Sequence, residues 1–261
     1  MRLEDVRAVY YRRPGRPPLI ADTVAEPYAT WAQNQADAAL LNLLSALPVR
    51  WINNPHHDRI AAHKPQQLVA ATRAGGLRVP RSLITNDPPG EARAFAKAVG
   101  GPLICKPVLG GRLDVGGERQ LMVATHRVDA AEFDESVRLT AHYFQEDIPP
   151  KTHEVRLVVV DGNLFAGTIT GTSEKARTDW RTDYENLQYG TTAVPDAVGA
   201  AVRRFMDSYG IVFGSFDFAV TPDDEWVFFE NNPAGTWSWV ENRTGLPIAA
   251  AHADYLQGSP T

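Results

Sequence analysis

The chain has a single cysteine, Cys105, so no disulfide can close within it, which suits a reducing compartment. No apolar run approaches the roughly 20 residues that span a bilayer, and the opening Met1-Arg-Leu-Glu-Asp5 lacks the apolar core of a signal peptide. These absences lead to the expectation of a cytoplasmic protein with no membrane partner. A basic stripe is missing too. Lys and Arg number 26 against 31 Asp and Glu, a formal net charge of −5 with pI near 5.8, which argues against nucleic acid as a partner. There is no G-x-x-x-x-G-K-[ST], no G-x-G-x-x-G, no H-E-x-x-H and no G-x-S-x-G. Any nucleotide would therefore be held without a P-loop or a Rossmann turn.

What is present is ordinary globular material: 261 residues, 44% hydrophobic and 22% charged, enough for one large domain or two modest ones. Strand patterns fall at Val6–Tyr11, Arg50–Asn53, Leu103–Val108, Gln120–Ala124 and His142–Gln145. Helical spacing covers Trp31–Leu47, Lys64–Ala74, Gly90–Val99, Asp129–Leu139, Ala197–Tyr209 and Pro247–Leu256. Gly110, Gly111, Gly116 and Gly117 mark a flexible loop, and Asp161-Gly162-Asn163 joins Glu154–Val160 to Leu164–Thr170 as a hairpin. Strands and helices mix without strict alternation, which predicts an α/β or α+β fold with an antiparallel component.

The chemistry gathers near the carboxyl end. In Ser-Phe-Asp217-Phe-Ala-Val, Thr221-Pro-Asp-Asp224 and Glu-Trp-Val-Phe-Phe-Glu230-Asn-Asn232, a strand, a turn and a second strand put Glu230 and Asn232 on one face. Pairing about the turn Thr221–Asp224 sets Asp217 diagonal to Glu230 on that face. Two carboxylates and an amide suit a hard cation such as Mg²⁺, commonly shared with substrate phosphates. A solvated hairpin face is the competing reading, but Phe216, Phe218, Phe228 and Phe229 flank the acids, and a carboxylate among aromatics needs a counter-charge.

Lys106, in an apolar strand beside the glycine loop, reads as a phosphate partner or as an edge-strand lysine in solvent. Lys64 opens a helix and by itself reads as a surface lysine. Glu154 and Arg156 share a strand face whose reverse carries Val155, Leu157 and Val159. Asp179-Trp180-Arg181 lies in a stretch without apolar period, either an exposed recognition element or a loop tryptophan packed on the core. The His56-His57-Asp58 cluster reads as a solvated polar turn, and Cys105 as a small buried hydrophobe.

Lys64, Lys106, Gln145-Glu146-x-Ile148, Glu154-x-Arg156, Asp217 and Glu230-x-Asn232-Pro233, in that order, resemble the ATP-grasp superfamily. Within it the chain resembles the ATP-grasp maturases of ribosomal peptides, the microviridin and graspetide macrocyclases. The marks are Arg12-Arg13-Pro14, Trp51-x-Asn53-x-Pro55, Lys64-Pro-Gln-Gln-Leu68, Gly76-Leu-x-Val-Pro80, Thr85-Asn-Asp-Pro88, Asp179-Trp-Arg181, Asn232-Pro-x-Gly-x-Trp237-x-Trp239 and Thr244-Gly-Leu-Pro247. The resemblance implies an ATP-grasp fold of two α+β subdomains gripping ATP, at 61–147 and 148–261, after a shortened preceding segment at 1–60. It places Asn231 where the family usually has an apolar residue.

The resemblance also implies roles. Lys64 and Lys106 meet phosphates, with Lys106 and Arg156 also catalytic and Arg156 near the γ-phosphate. Gln145, Glu146, Asp147 and Ile148 run along the adenine, and Glu154 joins the nucleotide-binding set. Asp217, Glu230 and Asn232 hold two Mg²⁺, and Asp179, Trp180 and Arg181 meet the leader and core of a ribosomal precursor peptide. A peptide carboxylate becomes an acyl phosphate, which a side-chain hydroxyl or amine displaces. A homodimer is one option for the assembly. The rivals are another ATP-grasp ligase acting on a protein tail or small peptide, and a nonhydrolysing peptide-binding relative.

Overall fold

In the computed structural model, residues 2–15, 24–25, 27–110, 112–115, 120–123, 125–148, 150–173, 176, 180 and 183–258 are described. Gly111, Gly116, Gly117, Asp179 and Arg181 lie outside them. The first elements are a short strand β1 (Ala8–Tyr10), helix α1 (Tyr28–Ser45), strand β2 (Arg50–Ile52) parallel to β1, and helices α2 (Pro55–Ala61) and α3 (Lys64–Ala74). His56, His57 and Asp58 are therefore helical and not a polar turn. Asn54 caps α2 by accepting from His56 N, and Pro55 fits the first turn. His57 Nδ1 lies 2.8 Å from Gly210 O, so this cluster fastens the helix to the body of the protein.

A four-stranded antiparallel sheet follows, built from β3 (Ser82–Thr85), β4 (Leu103–Lys106), β7 (His126–Val128) and β8 (His142–Glu146) in the order β3-β8-β4-β7. β5 (Arg112–Asp114) and β6 (Gln120–Met122) pair separately. One face of the four-stranded sheet packs Leu103 and Phe144 against Ala92, Ala96, Phe133 and Val137, with half-buried Cys105 at the margin and its thiol pushed up by burial. The helix expected over Asp129–Leu139 is instead two 3₁₀ turns, Ala130–Glu132 and Glu135–Leu139. Asp129 and Asp134 each accept from a backbone N–H two residues on, and this local bonding starts a second turn where a helix would have continued. Likewise Pro88–Ala92 forms a π-turn, and helix α4 starts only at Arg93 and ends at Val99.

The larger sheet has the order β11-β10-β9-β12-β13, all antiparallel: β9 (His153–Val160), β10 (Asn163–Gly171), β11 (Leu187–Thr191), β12 (Phe213–Val220) and β13 (Trp226–Asn232). Asp161 and Gly162, both at positive φ, make the two-residue turn between β9 and β10. One face of this sheet carries Val155, Leu157, Val159, Phe216, Phe218 and Phe228, all buried. Helix α5 (Asp196–Tyr209) lays Val198, Ala201, Val202, Phe205 and Met206 on it, a spacing of three and four residues that forms one apolar stripe. Each large side chain so buried stabilises the fold by about 1.5–3 kcal/mol.

The opposite face changes character along its length. On β9 it reads Glu154, Arg156, Val158, Val160. Its apolar end is covered by helices α6 (Ser238–Thr244) and α7 (Ile248–Gln257) through Val240 and Ile248, with Ile52 of β2. Gly167 of β10 allows that cover to come close, since a Cβ there would stand 2.7 Å from Val240 Cγ1. The two ends meet at Trp239, which packs on this second core and lies 5.9 Å from the Arg156 guanidinium. No helix among the described residues is long and apolar enough to cross a membrane.

Asn231, on the face packed by α5, is 2% exposed, and neither its Nδ2 nor its Oδ1 finds a partner. A buried unpaired amide costs about 1–3 kcal/mol. Asn231→Leu, nearly equal in shape, is expected to raise stability by roughly 1–3 kcal/mol in urea unfolding. A lower midpoint would show that the amide is satisfied in solution.

Candidate functional site

The β12–β13 turn is one residue longer than its sequence reading: Val220 pairs with Trp226, and Thr221 N donates to Glu225 O at 3.1 Å. Taken alone, that shift would turn Glu230 and Asn232 away from Asp217, because one residue of slip exchanges the faces. A bulge reverses it. Phe218 pairs with Phe228 but Asp217 pairs with Glu230, leaving Phe229 as the extra residue. Asp217 and Glu230 thus stand directly opposite, not diagonal, and Ser215 faces Asn232.

β9 extends the row, since Asp217 is also the register partner of Arg156. Arg156 Nε lies 3.0 Å from Asp217 Oδ1, with the two side chains only 7% and 8% exposed. That Nε–H has no aligned acceptor, so the contact is a close ion pair and not a hydrogen bond. The guanidinium also lies 5.9 Å from the ring centre of Trp239, within cation–π range. At the other end, Lys64 Nζ is 3.3 Å from Glu230 Oε2, and Asn232 Nδ2 donates to Glu230 Oε1 at 3.3 Å. Arg156, Asp217, Glu230, Asn232 and Lys64 are therefore one connected set. Its oxygens, two carboxylates and an amide on one face, fit a hard cation such as Mg²⁺.

Lys106 approaches from the smaller sheet. β4 is an interior strand, flanked by β8 and β7, so the edge-strand reading of this lysine is replaced. Its Nζ donates to Gln145 Oε1 at 2.6 Å and lies 4.8 Å from the Phe229 ring centre. Gln145 Nε2 donates to Tyr143 Oη at 2.7 Å and Ser82 Oγ at 3.1 Å. Lys64 Nζ also reaches Pro107 O at 3.5 Å, so the two lysines meet where the sheets face each other.

The remaining expected residues are placed as follows. Glu146 takes Arg81 Nε at 3.0 Å; burial lifts its carboxyl, but the Arg81 hydrogen bonds and the charges of Arg81 and Arg78 outweigh that and hold it below its usual value. Asp147 pairs with Arg127 at 2.7 Å and accepts from Ile148 N at 2.9 Å, while Ile148 is buried. These side chains fix the strand exit. Glu154 pairs with Lys151 at 2.6 Å. Trp180 is 6% exposed, packed against Trp239 with ring centres 5.6 Å apart and against Tyr184 at 5.7 Å, so the exposed reading of this residue fails.

Sequence reasoning passed over Gln67. Its Nε2 donates to Asn231 O and Ala61 O, both at 2.7 Å, and its Oε1 accepts from Asn231 N at 2.8 Å. Gln67 lies one turn after Lys64 on α3, so the clamp fixes the lysine against Glu230; a polar residue in phase with the buried Ala71 was the available signal. Asn53 acts similarly: its Oδ1 accepts from Val212 N and Phe213 N, and its Nδ2 donates to Phe213 O and Pro233 O. It ties the start of β12 to the segment after Asn232.

No protein-family model matches the chain, and no curated protein matches its sequence. Solved structures do. The macrocyclase MdnB from Microcystis aeruginosa MRC is 30% identical, with a TM-score of 0.76 over 97% of this chain and 78% of that one. A Chryseobacterium gregarium RiPP-associated ATP-grasp ligase, in complex with ADP and a leader and core peptide, is 26% identical, with a TM-score of 0.88 over 99% and 78%. The macrocyclase MdnC from Microcystis aeruginosa MRC, bound with its precursor peptide MdnA, shares the fold at 24% identity and a TM-score of 0.83 over 98% and 79%.

The buried Tyr143 hydroxyl supplies a pH test. Burial, with the Glu230 charge adding to it, pushes the phenol up to about 12 against hydrogen bonds with Ser82 and Gln145. A raised folded value means that this contribution is complete below about pH 10 and is lost as pH rises toward 12. Urea unfolding of the wild type is expected to weaken across that window by an amount on the order of 3 kcal/mol, and Tyr143→Phe to flatten the fall. Parallel curves for the two proteins would overturn this assignment.

Proposed function

The chain belongs to the ATP-grasp macrocyclases of ribosomal precursor peptides, and from that premise we propose that it joins side chains within one precursor peptide through an acyl phosphate, with ADP as product. The observation that carries this reading is the row Arg156, Asp217, Glu230, Asn232, meeting Lys64 and Lys106 where two sheets face each other. The weaker likeness to a D-alanine-D-alanine ligase from Coxiella burnetii, TM-score 0.54 at 19% identity, gives less support to a small-substrate ligase.

In this reading Lys106 and Lys64 neutralise nucleotide phosphates, and their present partners, Gln145 and Glu230, hold them ready. Gln145 to Ile148 and Glu154 complete the nucleotide side. Asp217, Glu230 and Asn232 would hold Mg²⁺, set here at two ions, which supplies charge neutralisation for phosphoryl transfer. Arg156 offers a dry, fixed positive charge where the γ-phosphate would lie. A peptide carboxylate attacks the γ-phosphorus and ADP leaves; a hydroxyl or amine of the same peptide then attacks the acyl carbon and expels phosphate. Each ring removes one water from the peptide. Asp179 and Arg181 are assigned to the peptide, with the buried Trp180 between them anchoring the segment on Trp239, and the division 1–60, 61–147 and 148–261 goes with this reading.

Mass spectrometry of candidate precursors after incubation with ATP and Mg²⁺ tests it: one water lost per ring is expected, and ATP turnover with no such product in any peptide would sink it. Glu230→Gln is expected to abolish turnover, since losing a metal ligand removes several kcal/mol of transition-state stabilisation, roughly 3 or more. Asp217→Asn should do likewise but also destabilise the fold, because it leaves Arg156 buried without its counter-charge. Near wild-type turnover in both variants at saturating Mg²⁺ would end the metal assignment. Lys106→Met is expected to weaken binding of a nonhydrolysable ATP analogue more than Lys64→Met, since Lys106 is anchored on an interior strand. Calorimetric titration reads the order, and equal negligible effects would return both lysines to structural roles.

A further inference from the structure

Arg12-Arg13-Pro14 follows β1, and the nucleotide row makes no use of it. β1 and β2 run parallel, and open α/β sheets bind ligands just beyond the carboxyl ends of parallel strands. Tyr11 N donates to Ile52 O at 2.8 Å, so the pairing stops one residue before Arg12. Past the end of β2, Asn53 Nδ2 donates to Pro233 O at 3.0 Å, and Trp237 Nε1 donates to Tyr10 Oη at 3.0 Å. These two ties set the carboxyl end of the two-stranded sheet against the segment that follows Asn232.

Arg12 is the unanswered charge there. It is half-buried, its Nε–H is enclosed with no acceptor, and among the described residues the guanidinium has no ion pair. Arg13 is different: its charge acts on Asp58, lowering a carboxyl that burial lifts more strongly. The left-handed backbone at Arg13, φ 45°, lets the two neighbours part. Arg12, two residues after Tyr10, leaves on the Tyr10 side. His252 marks the same place, its ring stacked on Trp237 with centres 4.7 Å apart and 5.4 Å from Tyr10. Burial is the main cause that holds this imidazole below its usual value; the Arg12 charge adds to it, against the Ile248 carbonyl and the Glu241 charge. Its Nε2 is also buried and unpartnered.

A partly dehydrated guanidinium without a counter-charge is costly until an anion arrives. The planar fork matches a carboxylate, and the rings of Tyr10 and Trp237 suit the alkyl stem that carries one. We infer that Arg12 receives the peptide side-chain carboxylate that is to be activated, so that the site accepts an acidic side chain and rejects its amide. The donor is then chosen by the amino-terminal segment, outside the two sheets that hold the nucleotide. This rests on the macrocyclase reading and names the residue that selects its donor side chain.

The test titrates N-acetyl-glutamate N-methylamide and its neutral isostere, N-acetyl-glutamine N-methylamide, into the whole protein loaded with ADP and Mg²⁺. The indole N–H resonance of Trp237, assigned by difference against Trp237→Phe, reports occupancy, and the His252 ring resonances report the charge at Arg12. The glutamate probe is expected to bind about tenfold or more tightly than the glutamine probe. It should also raise the pH at which His252 titrates, because the carboxylate offsets the Arg12 charge. Arg12→Gln should remove both the preference and the probe-induced change at His252, and Arg12→Lys, which keeps the charge but not the fork, should keep a weaker preference. A preference that survives Arg12→Gln puts the carboxylate on another cation and overturns the inference; so does equal binding of the two probes to the wild type, or a His252 titration that the glutamate probe leaves unmoved. Should Arg12→Gln fail to fold, Arg12→Lys decides, and an undiminished preference in it overturns the inference. ADP affinity on the same samples separates the failures: ADP bound by the wild type without probe discrimination rejects this inference alone, and absent ADP binding rejects the parent reading.

Discussion

A β-strand shows its side chains alternately to its two faces, so the extra residue at Phe229 decides where Glu230 and Asn232 point. Without it, the five residues between Val220 and Trp226 would leave Asp217 opposite Phe229, and the two carboxylates would lie on opposite sides of the sheet. With it, Phe228 still fills the core under α5 while Glu230 joins Asp217. The bulge lets one strand serve an apolar core and a charged row at once. The clamp from Gln67 and the tie from Asn53 act on the same strand end, and both hold main chain.

Across the row the charges are arranged to offset one another, two cations beside two carboxylates. Arg156 and Asp217 are the deeply buried pair, and their value lies less in net stability than in the cost of removing either one. Glu230 and Lys64 are about a quarter exposed and can exchange partners more cheaply. The row therefore has a fixed half and an adjustable half. The adjustable half faces Lys106 and the smaller sheet, where an incoming anionic group would have to fit.

Much of this was legible because the residues carry strong local signals. The α3 range is as its pattern reads, with Pro65 in the first turn and Gly75 after the last, and α5 shows its stripe plainly. The ligand-type residues Asp217, Glu230 and Asn232 also share a face as read, though through a longer turn and a bulge that cancel each other. Nothing local marks that cancellation. The 3₁₀ turns at Ala130–Leu139 were hidden for a different reason: aspartates at 129 and 134 bond their own backbone, which apolar spacing does not register. Trp180 and Gln67 were obscured because burial by distant segments is a tertiary fact, set by Trp239 and Asn231 far along the chain.

The Gln67 clamp holds the peptide groups of residue 231 and ignores its side chain. Geometry at Glu230 and Asn232 is thereby insulated from what occupies the position between them. Mutational drift at 231 can alter how tightly the core fits without moving the neighbouring oxygens, and this chain, with asparagine where an apolar residue would fit, is an instance of that freedom. The ligands are indexed to the backbone, which changes far more slowly than side chains do, and the strand can accumulate sequence variation while its chemistry stays in register.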